Sequence, residues 1–160
     1  MKKINLLVSS LLIAAATLGA QQLSTKKSLN LAVAKVIVAA AEKEAMTNGW
    51  AIFITVIDDG GTMMAMERLD DAQIGSLEVS IGKAQTSLKF KRPSKVFDDL
   101  ITSGKNALLG LPGVTPIEGG FPLMADGKVI GAIGVSGGTS PQDGQVAQAG
   151  LDALPKILGK

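Results

Sequence analysis

The chain has 160 residues, with 16 Lys and Arg against 14 Asp and Glu, and no His, Cys or Tyr. That length suits one domain with a sizeable core, and the near-balanced charge argues against nucleic acid as a partner. The missing residue types exclude a Ser-His-Asp triad, a thiolate nucleophile, a disulfide framework and the usual imidazole or thiolate zinc sites.

The first twenty residues read as a secretory leader. Lys2 and Lys3 form a positive start, Leu6 to Ala16 is an apolar run interrupted by Ser9 and Ser10, and small residues lead to a processing site after Ala20. The apolar run is too short to span a bilayer, which needs roughly 20 residues. Residues 1–20 are therefore expected to be a signal peptide and 21–160 a single domain, exported to the periplasm or secreted from a bacterial cell, with no membrane span after processing.

The first expected helix has Ser24 as N-cap and Leu23 as a hydrophobic staple. Its apolar stripe runs through Leu29, Val33, Val36, Ile37, Ala40 and Ala41, and Asn48-Gly49 ends it. Trp50 to Ile57 reads as a buried strand, and Asp58-Asp59-Gly60-Gly61 turns it into a second strand, Thr62 to Glu67. A second helix follows, with Leu77, Ile81, Ala84 and Leu88 on its inner face. Gly75 and Gly82 weaken that helix by up to about 1 kcal/mol each and are expected where something packs closely. Pro93 stops it and opens a short helix through Val96, Phe97, Leu100 and Ile101.

Residues 104–116 hold Gly104, Gly110, Pro112, Gly113 and Pro116, so they read as a loop. Its leucines suit a cover over a sheet edge or subunit contact, with a ligand flap as the alternative. Two apolar runs around Asp126-Gly127 form the second hairpin, because a tight turn favours residues that tolerate positive φ. Its second strand carries Gly131, Gly134 and Gly137, and glycine weakens a strand unless something approaches its backbone. Ser140-Pro141 then starts the last helix, with Ser140 as N-cap and Asp143 favouring the helix dipole. The order argues for an α+β fold, an antiparallel sheet of four or five strands with helices packed on it.

Four features bear on chemistry. The stretch from Gly134 to Ser140 offers backbone amides to an anion, but it lacks a P-loop lysine and reads first as a strand-to-helix turn. Met63, Met64 and Met66 give an adaptable apolar surface or simple core packing. Arg68, Lys83, Lys89, Lys91 and Arg92 suit ligand carboxylates or plain solvation. Glu67, Asp70 and Asp71 are acidic enough for a metal, although turn and cap roles explain them.

The pieces Val56-Ile57-Asp58-Asp59-Gly60-Gly61, Arg68-Leu69-Asp70-Asp71-Ala72, Lys83-Ala84, Gly119-Gly120-Phe121-Pro122-Leu123, Gly127 to Gly138, and Asp143 with Ala147 to Leu151 occur in one order. In these the chain resembles the GlcG/HbpS family of haem-binding and PduO C-terminal-like domains. The resemblance implies a profilin-like or PAS-like sandwich, a homo-oligomer, and haem or a related tetrapyrrole as ligand. Histidine ligates haem in some relatives, and none is present here. Haem binding would then rest on apolar enclosure, basic residues at the propionates and a Met ligand. On this reading the ligand-binding residues are Met64, Met66, Arg68, Lys83, Phe90, Gly119, Gly120 and Phe121, with no catalytic group. Two other functions are compatible. One is an enzyme on a small carboxylated metabolite, held by Arg68 and Lys83 with Glu118 as base. The other is a structural oligomer without ligand.

Overall fold

The computed structural model describes residues 23–159; the expected leader lies outside the described residues. The first helix, α1, spans Leu31–Asn48. It begins at Asn30, whose side chain accepts from the Val33 amide at 2.9 Å. The expected cap at Ser24 is thus displaced by six residues. Asn is as good a cap as Ser, and Leu29 ahead of it is buried in the same cluster as Ala34, as a hydrophobic staple requires. At the other end Gly49 is left-handed (φ 69°). Trp50 spends its amide on the Ala45 carbonyl there (3.0 Å). Trp50 therefore belongs to the helix terminus, and strand β1 starts only at Phe53, running Phe53–Asp58.

Strands β2 (Met63–Arg68), β3 (Gly120–Ala125) and β4 (Lys128–Ser136) complete an antiparallel sheet of order β2-β1-β4-β3. Helices α2 (Ser76–Phe90), α3 (Lys95–Thr102) and α4 (Ser140–Ile157) complete the α+β fold. Within residues 104–116 lies one 3₁₀ turn, Asn106–Gly110. The turn residues behave as expected: Asp126 and Gly127 have φ of 48° and 73°, and Asp58 Oδ1 accepts from the amides of Gly60 (2.9 Å) and Thr62 (2.8 Å).

Helices α1 and α4 pack on each other and on one face of the sheet. Ile54, Val56, Ile133, Val135, Ile37, Val146 and Leu154 join in the core between them. Helix α2 lies on the opposite face, against β4, β3 and β1.

The face of α2 that meets the sheet departs from expectation. Ser76, Ser80, Lys83, Ala84, Thr86 and Ser87 are buried, whereas Leu77, Ile81 and Leu88 are only half-buried. Glycines of the strands cause this. A Cβ at Gly134 would stand 2.1 Å from the Ser80 carbonyl oxygen and 2.6 Å from the Ala84 amide. One at Gly120 would stand 2.4 Å from the Lys83 oxygen. Helix backbone touches strand backbone there, so only small side chains fit, and Ser80 Oγ and Thr55 Oγ1 share a hydrogen bond of 2.8 Å. Gly82 meets Thr115 of the loop, as close packing implied, but Gly75 caps the helix with nothing within 4 Å. Helix α4 is capped by Thr139, one residue before the expected Ser140, and Gln142 Oε1 accepts from the Thr139 amide (2.9 Å).

Candidate functional site

In the antiparallel register Asp58 stands opposite Gly131, so the end of β1 lies beside the beginning of β4. Both hairpin turns consequently emerge at one end of the sheet, where α2 also ends. Between them is a cleft of about 660 Å³, inside the size range of small-molecule sites. Among the described residues, Leu88, Met124 and Val129 supply apolar wall, while Lys26, Lys89, Lys91 and Lys128 surround it against a single carboxylate, Asp59. Lys26 is paired with Asp59. The excess positive charge therefore rests on Lys89, Lys91 and Lys128. Lys89 and Lys91 also complement the negative end of the α2 dipole, and Lys91 takes the left-handed conformation that closes the helix. The segment ahead of α1 borders the cleft: Lys27 pairs with Asp126 (3.0 Å), and Lys128 Nζ donates to the Thr25 carbonyl (3.3 Å).

The residues singled out from sequence are distributed differently. Lys83, Gly119 and Gly120 do come together, but in a closed junction. Lys83 is fully buried and donates to Asp143 Oδ2 (2.7 Å) and to the Val135 carbonyl (2.9 Å). A Cβ at Gly119 would lie 3.0 Å from Lys83 Nζ. Asp143 also accepts from the Gly138 amide (2.9 Å). Burial pushes the Lys83 ammonium below its usual range, against the opposing hydrogen bond and charge of Asp143. The same burial pushes Asp143 up, against the hydrogen bond and charge of Lys83. This pair ties α2 to the start of α4 across β4.

Met64 packs against the core beneath α1, and with Met66 it borders a smaller groove of about 330 Å³. Arg68 lies over the Phe53 ring at 5.6 Å and donates to the Ala72 carbonyl (3.2 Å). Phe90 packs edge-on against Phe97 at 5.0 Å, and Phe121 packs against the α1/α4 core. Arg68 and Lys83 therefore have separate engagements, and Glu118 faces Lys95 (3.4 Å) and Gly144. Among the described residues no group of three or more acidic side chains is arranged to hold a metal ion, and no helix is long and apolar enough to cross a membrane. Leu88, Met124 and Lys128 were not expected at a ligand site, because only hairpin register together with the docking of α2 on the sheet brings them to one place.

The fold is a small α+β domain with a lysine-rimmed, partly apolar cleft at one end of its sheet. Residues 29–152 match the family described as haem degrading protein HbpS-like, and the chain belongs to that family. Protein GlcG of Escherichia coli strain K12 is 40% identical over 114 residues, covering 71% of this chain and 85% of GlcG. The crystal structure of Klebsiella pneumoniae protein ORFY superposes with a TM-score of 0.76 at 31% identity, covering 84% of this chain and 96% of that one. The crystal structure of a PduOC:heme complex superposes with a TM-score of 0.72 at 27% identity, covering 79% and 95% respectively.

Proposed function

We propose that the protein binds haem or a closely related tetrapyrrole in the cleft between α2 and the two hairpin turns. The observation that carries this reading is the pairing of an apolar wall in the 660 Å³ cleft with three lysines that have no carboxylate partner among the described residues. A porphyrin presents that combination in reverse: a flat apolar ring with two carboxylates on one edge. Lys89 and Lys91 would hold the propionates by charge-assisted hydrogen bonds, while Leu88 and Val129 exclude water from the ring. The HbpS-like family and the haem complex of the PduOC neighbour support the ligand class. The donor set fits as well, since a thioether stands in the wall although the chain has no His, Cys or Tyr. When bound, the haem iron would supply a redox-active centre; the chain's own residues bind it, orient it and limit solvent access.

Titration of the mature protein with hemin is expected to give a saturable Soret change at one equivalent per chain. The double variant Lys89→Glu/Lys91→Glu is expected to bind at least about tenfold more weakly, a loss of some 1.4 kcal/mol. A Soret response that never saturates sinks the reading. Export is part of the same proposal, supported by the composition of residues 1–20. Expressed in full in a bacterium, the protein should be recovered outside the cytoplasm with a mass that begins at Gln21. Recovery of an unprocessed chain in the cytoplasm would refute it.

A further inference from the structure

We infer that the Met124 thioether would ligate the iron, an assignment that rests on haem occupying the lysine-rimmed cleft. Thioether sulfur is an established haem ligand, and the other usual protein donors, His, Cys and Tyr, are absent from the whole sequence. The remaining side chains of the cleft are poorly suited. The lysine ammonium groups are donors only and have no lone pair to give a metal. The carboxylate of Asp59 is engaged by Lys26. Among the described residues, Met124 alone places a soft, neutral lone pair beside the apolar wall of this cleft.

Charge or position separates Met124 from the other methionines among the described residues. Met64 and Met66 border a groove of half the volume, in which Glu42 and Glu67 face a single basic residue, Lys35. Propionates would be repelled there. Met46 lies in a shallow groove with Asp70 and Asp71, again acidic. Met63, at the start of β2, does not line the lysine-rimmed cleft. Met124 is 41% exposed on an edge strand, where the register slips between Leu123 and Met124. Its side chain therefore anchors little of the core, and a slipped register re-aims a side chain relative to regular pairing.

The test compares hemin complexes of the wild type, Met124→Leu and Met124→His. Leucine keeps the bulk of methionine and removes the donor. The wild type is expected to show the weak far-red charge-transfer band of a thioether–ferric bond, unchanged between pH 5 and 8 because a thioether does not titrate. Met124→Leu should lose that band and shift the Soret maximum, while still taking up hemin through the lysines. Met124→His should restore a ligated spectrum with a lower midpoint potential, since Met ligation raises the potential of haem iron. Retention of the band in Met124→Leu overturns the assignment and leaves haem binding standing. Its loss instead in Met64→Leu or Met66→Leu moves the ligand beneath α1 and likewise overturns it. A wild type that takes up no hemin removes the haem reading itself.

Discussion

Lys83→Met is expected to destabilise the fold by about 3–5 kcal/mol, because it leaves the Asp143 carboxylate buried without its counter-charge. Lys83 and Asp143 have side-chain exposures of 1% and 4%, so water cannot replace the lost ammonium. The double variant Lys83→Met/Asp143→Leu should recover much of that loss, since well-packed apolar residues often substitute for a buried ion pair at no net cost. Recovery will be incomplete, because Asp143 also accepts from the Gly138 amide at the entry to α4.

The single variant carries a pH signature as well. Asp143 is already held above its ordinary 3.8 by burial, and Lys83 supplies the two largest opposing effects. Without Lys83 the folded-state value rises further. A carboxyl with a folded value above its unfolded one stabilises below the unfolded value and loses that contribution as pH rises through the folded one. The deficit of Lys83→Met should therefore be smallest near pH 4 and grow toward neutrality, as read from urea midpoints across that range. A deficit independent of pH, or below about 1 kcal/mol, would contradict the buried-pair account.

Gly134→Ala is expected to cost about 3 kcal/mol or more, at or beyond the upper end of ordinary overpacking. The added carbon meets the Ser80 carbonyl oxygen at 2.1 Å and the Ala84 amide at 2.6 Å, and neither is a side-chain tip that can swing aside. Helix α2 would have to lift from β4, breaking the Ser80–Thr55 hydrogen bond and exposing Ile57 and Ala132. Gly75→Ala is the matched control. Nothing lies within 4 Å of it and its φ is −63°, so alanine there should be neutral or stabilise by a few tenths of a kcal/mol. Thermal melts of the two variants side by side decide the matter; equal melting temperatures would show that α2 does not rest on the glycines.

The apolar spacing at Leu77, Ile81, Ala84 and Leu88 misled in an instructive way. A helical stripe signals burial when the opposing surface leaves room for branched side chains. Here the opposing surface is glycine, and a backbone-to-backbone contact rewards serine, threonine and alanine. The glycines of β4 announced a close approach, but nothing local says which element makes it. Met64 and Met66 do share a groove, but Met64 also packs against the core, beside the register slip between Val56 and Ile57, which nothing within β2 foretells. Asn30 was a local signal passed over, because Ser24 offered an earlier cap of equal quality.

Local chemistry was sufficient for the order of helices and strands, both hairpin turns and the glycine that ends α1, each of which depends on a few neighbouring residues and the φ values or hydrogen bonds open to them. The family was legible only as a resemblance, carried by pieces in one order from Val56 to Leu151. Composition alone removed every usual haem donor except methionine. Tertiary structure decided the rest. It joined Lys83 to Asp143 across 60 positions of sequence. It turned the small polar face of α2 onto the sheet, and it brought Met124 to the lysines at the end of that helix. Such pairings depend on strand register and helix approach, quantities set by the packing of the whole chain, and no spacing within a single segment encodes them.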